Sequence, residues 1–128
     1  MSDMNSLHNR AVWFDIPVAN LDRASAFYAA TLGVAVHKTE FDNFKFSVLD
    51  HDTGNGGCLV PNEDEISGNA GILLYMNVDG RIQDAVIQAA KHGGKIVKPV
   101  HAIGQHGFRA VILDSEGNRI ALHSTTNA

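Results

Sequence analysis

Phe44-Lys45-Phe46-Ser47-Val48-Leu49-Asp50 and Phe108-Arg109-Ala110-Val111-Ile112-Leu113-Asp114 are the two stretches whose likeness decides the fold. Each is a short run dense in β-forming residues that closes on an aspartate, and the second follows the first at an offset of sixty-four residues. Earlier in the chain Val18 matches Val78, and Leu32-Gly33 matches His92-Gly93, both at an offset of sixty. Identity between the copies is weak. The order of element types agrees throughout, and that consistency carries more than any single match.

Working outward, residues 11–18 read as a strand that ends at Pro17, where a chain can stop donating to its ladder. Asn20 is a good N-cap for a helix over 21–32, with Leu21, Ala24, Phe27, Tyr28 and Leu32 at helical spacing and Gly33 as its stop. Strands follow at 34–37, 44–49 and 57–60, joined by polar turns containing Gly, Asn and Asp. Residues 61–69 are acidic and read as a linker. The pattern then repeats: a strand at 71–78, a helix opened by Asp79-Gly80 with Ile82, Val86, Ala89 and Ala90 inward and closed by His92-Gly93, and strands at 95–100, 108–113 and 119–124. After a polar tail of residues 1–10, the chain is one domain, 11–124, made of module one (11–60) and module two (70–124). Each module is β-α-β-β-β, too small to bury both faces of its sheet, so two packed copies are the physical expectation.

Composition narrows the function. With 128 residues, 45% hydrophobic and 19% charged, the chain is of a folded globular type. A net charge of −4 offers no general attraction to phosphate backbones or acidic membranes, so neither nucleic acid nor membrane is expected as a partner. Cys58 is the single cysteine, which excludes an intrachain disulfide. No signal-like or bilayer-length apolar run occurs, and a cytoplasmic location is the expectation. Phosphate-loop, nucleophile-elbow and paired-cysteine patterns are absent, since Gly54-Asn55-Gly56-Gly57 lies between strands and not before a helix.

The opening Trp13-Phe14-Asp15-Ile16-Pro17-Val18-Ala19-Asn20-Leu21-Asp22-Arg23-Ala24, continuing to Phe27-Tyr28, is similar to the glyoxalase/bleomycin-resistance/extradiol-dioxygenase (vicinal-oxygen-chelate) superfamily. Asp114-Ser115-Glu116-Gly117-Asn118 resembles that superfamily's Asp-Pro-Asp/Glu-Gly-Asn turn, with Ser115 in place of proline. The resemblance covers residues 11–124 and implies an α+β fold in which two tandem βαβββ modules form a half-open, barrel-like sheet around a cavity. It also implies that metal-dependent members carry one ligand on the first and one on the last strand of each module. In this chain those positions fall on Trp13, Cys58, Leu73 and Ala121. Three of them have no lone pair to offer, and one thiol is not a site, so no metal and no cofactor are expected. What the resemblance then implies is a glyoxalase-like protein that holds a small organic or aromatic molecule, as the drug-resistance members do, and that pairs into a homodimer. The alternative is a metal-dependent lyase, isomerase or dioxygenase with non-standard ligands.

Strand alternation extends the candidate cavity lining from Trp13 to Asp15, from Leu73 to Tyr75 and Asn77, and from Ala121 to His123, with Cys58 from the first module. An Asp15–His123 pair could serve as a general base, but parity fixes face and not depth, and the favoured expectation is that the two do not meet. His8, His51 and His92 read as solvated. His101 and His106 flank a loop that could close over a cavity mouth, without the spacing of a metal site. Lys45 and Arg109, at equivalent repeat positions, are either solvated or anion anchors, and solvation is the favoured reading.

Overall fold

The structure, a computed structural model, describes residues 8–128, so most of the expected tail lies outside the described residues. In chain order the elements are β1 (Asp15–Val18), α1 (Leu21–Leu32), β2 (Val36–Phe41), β3 (Phe44–Leu49) and β4 (Cys58–Pro61), then β5 (Leu74–Asn77), α2 (Ile82–Lys91), β6 (Lys95–Ala102), β7 (Phe108–Leu113) and β8 (Arg119–Ser124). Single 3-10 turns occupy Glu63–Glu65 and Gly104–His106. The chain is α+β, with two βαβββ copies. Their strands form two separate sheets of order β1-β4-β3-β2 and β5-β8-β7-β6, which do not close into a barrel. In each sheet the first strand lies parallel to the last and the other pairings are antiparallel.

Local chemistry explains most element boundaries. The Asn20 side chain accepts the Arg23 N–H at 3.0 Å, and Gly33 takes the left-handed conformation at φ 67° that ends α1. Two expectations are corrected. The second strand, expected at 34–37, runs over Val36–Phe41, because Asp42-Asn43 forms a two-residue hairpin turn with both φ values positive (52° and 66°) and zips β2 onto β3 from Phe41↔Phe44 back to Val36↔Leu49. The first strand of each module is shorter than expected. Ladder pairing begins at Asp15↔Cys58 and Leu74↔Ile120, which leaves Trp13 and Leu73 just ahead of their strands.

The helices pack on each other between the inner faces of the sheets. Ile16, Val18, Leu49 and Leu59 from the first sheet, and Met76, Val78, Ala110, Ile112, Ile120 and Leu122 from the second, join Phe27, Tyr28, Ile82 and Ala89 in one core. Side-chain direction alternates along each strand, so one face of each sheet meets the helices, while the other is only partly open, with Cys58, Val111 and Ala121 buried on it.

The modules are joined by polar contacts at both ends of α1. At its start, the turn between β7 and β8 acts as a clasp. Asp114 Oδ1 accepts the N–H groups of Glu116 (2.8 Å) and Asn118 (2.9 Å), while Oδ2 accepts the Tyr28 hydroxyl (2.6 Å) and the Asn118 amide (3.0 Å). The same Asn118 amide donates to the Pro17 carbonyl at 2.7 Å. Glu116 Oε1 accepts the N–H groups of Ala19 (2.9 Å) and Asn20 (2.7 Å), which are free at a helix start, and Arg23 Nε donates to Oε2 at 2.7 Å. At its end, Arg81 Nη1 donates to the Thr31 carbonyl at 2.6 Å while Arg81 Nη2 pairs with Asp84. Burial first, and then the facing Asp114 carboxylate, push the Tyr28 phenol well above its ordinary range, so it stays a donor.

The clasp makes stability pH-dependent. Burial alone raises the Glu116 carboxyl, but hydrogen bonds from Arg23, Asn20, Ser115 and Ala19 outweigh it and hold the group at about 2, below its ordinary 4.5. A pKa depressed on folding stabilises the native state fully above the unfolded value. That contribution is lost as pH falls from about 4.5 toward about 2. Glu116→Gln is expected to cost roughly 2–3 kcal/mol at pH 7 and to flatten that acid limb. Thermal melts from pH 7 to pH 2 check this; parallel curves for the two proteins would contradict it.

Candidate functional site

The open faces carry the candidate residues, and strand register shows how they meet. Asp15 lies opposite Cys58 across β1 and β4 just as Tyr75 lies opposite Ala121 across β5 and β8. Asp15 and Tyr75 are sixty residues apart, so Cys58 and Ala121 occupy equivalent places in the two modules. Further along the second sheet, Asn77 faces His123, His123 faces Arg109 and Arg109 faces His101, one straight row across four strands.

On the first sheet Trp13, Asp15 and Cys58 form one cluster. The Cys58 thiol donates to Asp15 Oδ1 at 3.1 Å, and the Trp13 side chain acts on the sulfur to lower its pKa. The Trp13 ring meets His51 edge-on, centroids 5.9 Å apart, so His51 is a half-buried packing partner and not the solvated residue expected. Burial and the hydrogen bond to Asp15 push the Cys58 thiol up to about 11, with the Trp13 contact opposing them. The sulfur is therefore a neutral thiol. His92, also expected in solvent, is half-buried against the Gln88 carbonyl at 2.9 Å.

On the second sheet an open groove of ≈ 500 Å³ is lined by Tyr75, Met76, Asn77, Ile103, His106, Arg109 and His123. Its rim is the loop carrying the Gly104–His106 turn, which folds back over β8 because Gly107 adopts φ 97° and ψ −133°. A Cβ at Gly107 would stand 2.4 Å from the Ser124 carbonyl oxygen, so only glycine lets the loop approach that closely. His123 Nε2 donates to the His106 carbonyl at 2.7 Å and secures the loop. A second groove of ≈ 480 Å³ separates Phe14 and the loop around His51 from Tyr75, Met76 and Asn77.

Asp15 and His123 are not brought together. The first is engaged by Cys58 and the second by the His106 carbonyl, which leaves no acid–base pair between them. Lys45 is exposed as expected, but the solvated reading of Arg109 is corrected. Arg109 is half-buried, with Nε 3.2 Å from His101 Nε2 and Nη1 2.8 Å from the Tyr75 hydroxyl oxygen. Its signal in the sequence was its place in the row with His123, which could be read only once the β7–β8 register was known. Ile103 was missed outright, since loop residues have no periodicity to reveal them.

The donor chemistry does not fit a divalent cation. Trp13, Leu73 and Ala121 have no lone pair to give, and Cys58 is a protonated thiol. Among the described residues no three His, Cys, Asp or Glu side chains converge. Nor is any helix among them long and apolar enough to cross a membrane.

Two tandem βαβββ modules clasped by an Asp-Ser-Glu-Gly-Asn turn, each presenting an open sheet face, define a particular class of duplicated α+β protein. Residues 10–122 match the family model described as the Glyoxalase/Bleomycin resistance protein/Dioxygenase superfamily, and the chain belongs to that superfamily. It is 28% identical over 123 residues to a "Glyoxylase-like domain-containing protein" of Didymella fabae, a match spanning 91% of this chain and 94% of the other. Among solved structures it resembles a glyoxalase/bleomycin resistance protein/dioxygenase family enzyme from Burkholderia phytofirmans PsJN, with TM-score 0.69, 21% identity and coverage of 88% and 96%. It also resembles the genomically encoded fosfomycin resistance protein FosX from Listeria monocytogenes, with TM-score 0.68, 12% identity and coverage of 92% and 94%. Both structural likenesses concern the fold.

Cysteine labelling tests the first cluster. A thiol near 11 is about 0.1% thiolate at pH 8, so Cys58 in the folded protein is expected to react with a maleimide-free reagent such as iodoacetamide roughly 100-fold slower than in the urea-unfolded chain. Asp15→Asn is expected to speed the folded-state reaction. Equal rates in the folded and unfolded proteins would rule out the buried thiol.

Proposed function

We propose that this chain is a metal-free member of its superfamily that binds a small organic molecule on its open sheet faces. Trp13, Asp15 and Cys58 flank the binding surface on one side, and Leu73, Tyr75, Ala121 and His123 on the other. The observation that carries this reading is the groove on the second sheet. Its apolar and aromatic walls from Ile103 and Tyr75, with a few polar groups from His106, Arg109 and His123, have the make-up of a small-molecule site. The unfit donor set at Trp13, Cys58, Leu73 and Ala121 supports a binding role over metal-assisted chemistry.

The test is unbiased. Native mass spectrometry of protein purified without chelator is expected to detect a retained small molecule and no stoichiometric divalent metal. Tyr75→Ala, in the groove, and Trp13→Ala, beside Asp15 and Cys58 on the first sheet, should each reduce retention, whereas His8→Ala, which belongs to neither group, should not. Equal loss in all three would remove the assignment. A stoichiometric metal held by three or more side chains would replace it with the metal-dependent lyase, isomerase or dioxygenase reading.

We further propose that the open face of the first sheet pairs with a second copy of the chain. Phe41 is 63% and Phe44 46% exposed, and Phe44 stacks on Phe46 with centroids 5.9 Å apart. The apolar face on these strands is the one turned from α1, since the intervening Lys38 pairs with Asp22 of that helix. Sedimentation is expected to give twice the 13.8 kDa chain mass at micromolar concentration, and Phe44→Glu to shift it toward monomer. A wild-type protein that sediments only as monomer would count against the pairing.

A further inference from the structure

Among the described residues several cations, Arg119 included, make no ion pair, and Arg109 is the one of them that lines the groove of the second sheet. Arg23 and Arg81 pair with Glu116 and Asp84, and Lys38 with Asp22. Arg109, half-buried in the groove of the second sheet, has only neutral partners: Nε and Nη2 are 3.2 and 3.1 Å from His101 Nε2, and Nη1 is 2.8 Å from the Tyr75 oxygen. Among the described residues it makes no ion pair. Asp79, whose carboxylate feels the charge of His123, is occupied by the N–H and hydroxyl of Thr125 at 2.6 and 2.7 Å.

Hydrogen-bond accounting sets what the groove offers. His101 Nδ1 donates to the Pro99 carbonyl at 2.8 Å, so its Nε2 is the lone-pair end that accepts from Arg109. This leaves Arg109 fixed as a flat fork with one N–H on each terminal nitrogen still unassigned. The Tyr75 oxygen accepts from Arg109, so its own hydrogen is available to a ligand. His123 spends Nε2–H on the His106 carbonyl, and the His106 ring borders the groove with no hydrogen bond of its own among the described residues. The polar groups at this end are thus mainly donors around one uncompensated positive charge, beside an apolar wall from Ile103.

We propose that the Arg109 guanidinium, braced by His101 and beside the Tyr75 hydroxyl, is the anchor for a small organic carboxylate whose apolar or aromatic body lies along Ile103. The inference rests on the groove being the ligand site and adds the charge of the ligand. A carboxylate accepts from both terminal nitrogens of the fork and from the phenol. It supplies the negative charge that the protein withholds, whereas a neutral isostere leaves that charge uncompensated.

The experiment titrates the full chain with benzoate and with benzamide, which share a ring and differ in charge, followed by amide NMR shifts of the protein. Benzoate is expected to bind roughly 10–100-fold tighter than benzamide, with shifts centred on residues 75, 103, 106, 109 and 123. Arg109→Gln and Tyr75→Phe should each weaken benzoate by a larger factor than they weaken benzamide. Tyr75 is 46% exposed, so its variant keeps the test valid even where Arg109→Gln disturbs folding. Equal affinity for the two probes in the groove overturns the anion inference and leaves the small-molecule reading standing. Shifts confined to other regions, or no binding of either probe at millimolar concentration, overturn both.

Discussion

Buried between the two modules, the Asp114 carboxylate accepts hydrogen bonds from the Tyr28 hydroxyl, the Asn118 amide and two backbone N–H groups, and among the described residues it makes no ion pair. A buried carboxylate is tolerable only when its lone pairs are satisfied, and here the satisfaction draws on both copies of the repeat. Tyr28 comes from the helix of module one and the rest of the set from the last turn of module two. Neither copy can complete the network alone. Glu116, two residues along the same turn, then accepts the N–H groups of Ala19 and of Asn20, the N-cap of α1. The clasp thereby fixes how one sheet sits relative to the other, and with it the placement of both open faces.

Each sheet of four strands has a helix on one side only. The inner faces are spent on a shared core of Phe27, Tyr28, Ile82 and the strand residues around them, and the outer faces carry no helix. The two outer faces differ in kind. That of the first sheet is aromatic and extends to the exposed hairpin of Phe41 and Phe44, with the neutral Cys58 thiol near its other edge. That of the second is crossed by a polar row from Asn77 through His123 and Arg109 to His101. Duplication of a unit allowed this divergence, because equivalent positions such as Asp15 and Tyr75, or Cys58 and Ala121, share a backbone role but not a chemistry.

Much of this was legible before folding. The offset repeat, the Asn20 cap, the Gly33 stop and the closing Asp114-to-Asn118 turn are local signals, and periods of 2 and 3.6 residues report burial directly, so the element order and the superfamily could be read from the chain. Strand parity likewise put Tyr75 and His123 on the same sort of face. What parity could not give was depth or partners. Asp15 and His123 have matching parity yet separate partners. Arg109 has the same repeat position as the exposed Lys45 yet lies half-buried among histidines.

The sequence by itself determined the duplicated βαβββ order, the caps and turns that bound its elements, and the residue types at the equivalent ends of the two modules, because each is encoded by neighbours a few residues apart. Only the tertiary structure decided that Arg109 meets Tyr75 and His101, that the His106 loop closes over β8, and that the Asp114 turn crowns α1. Those contacts join residues from different strands and modules, and their existence depends on inter-strand register and on how two half-covered sheets come to share one core.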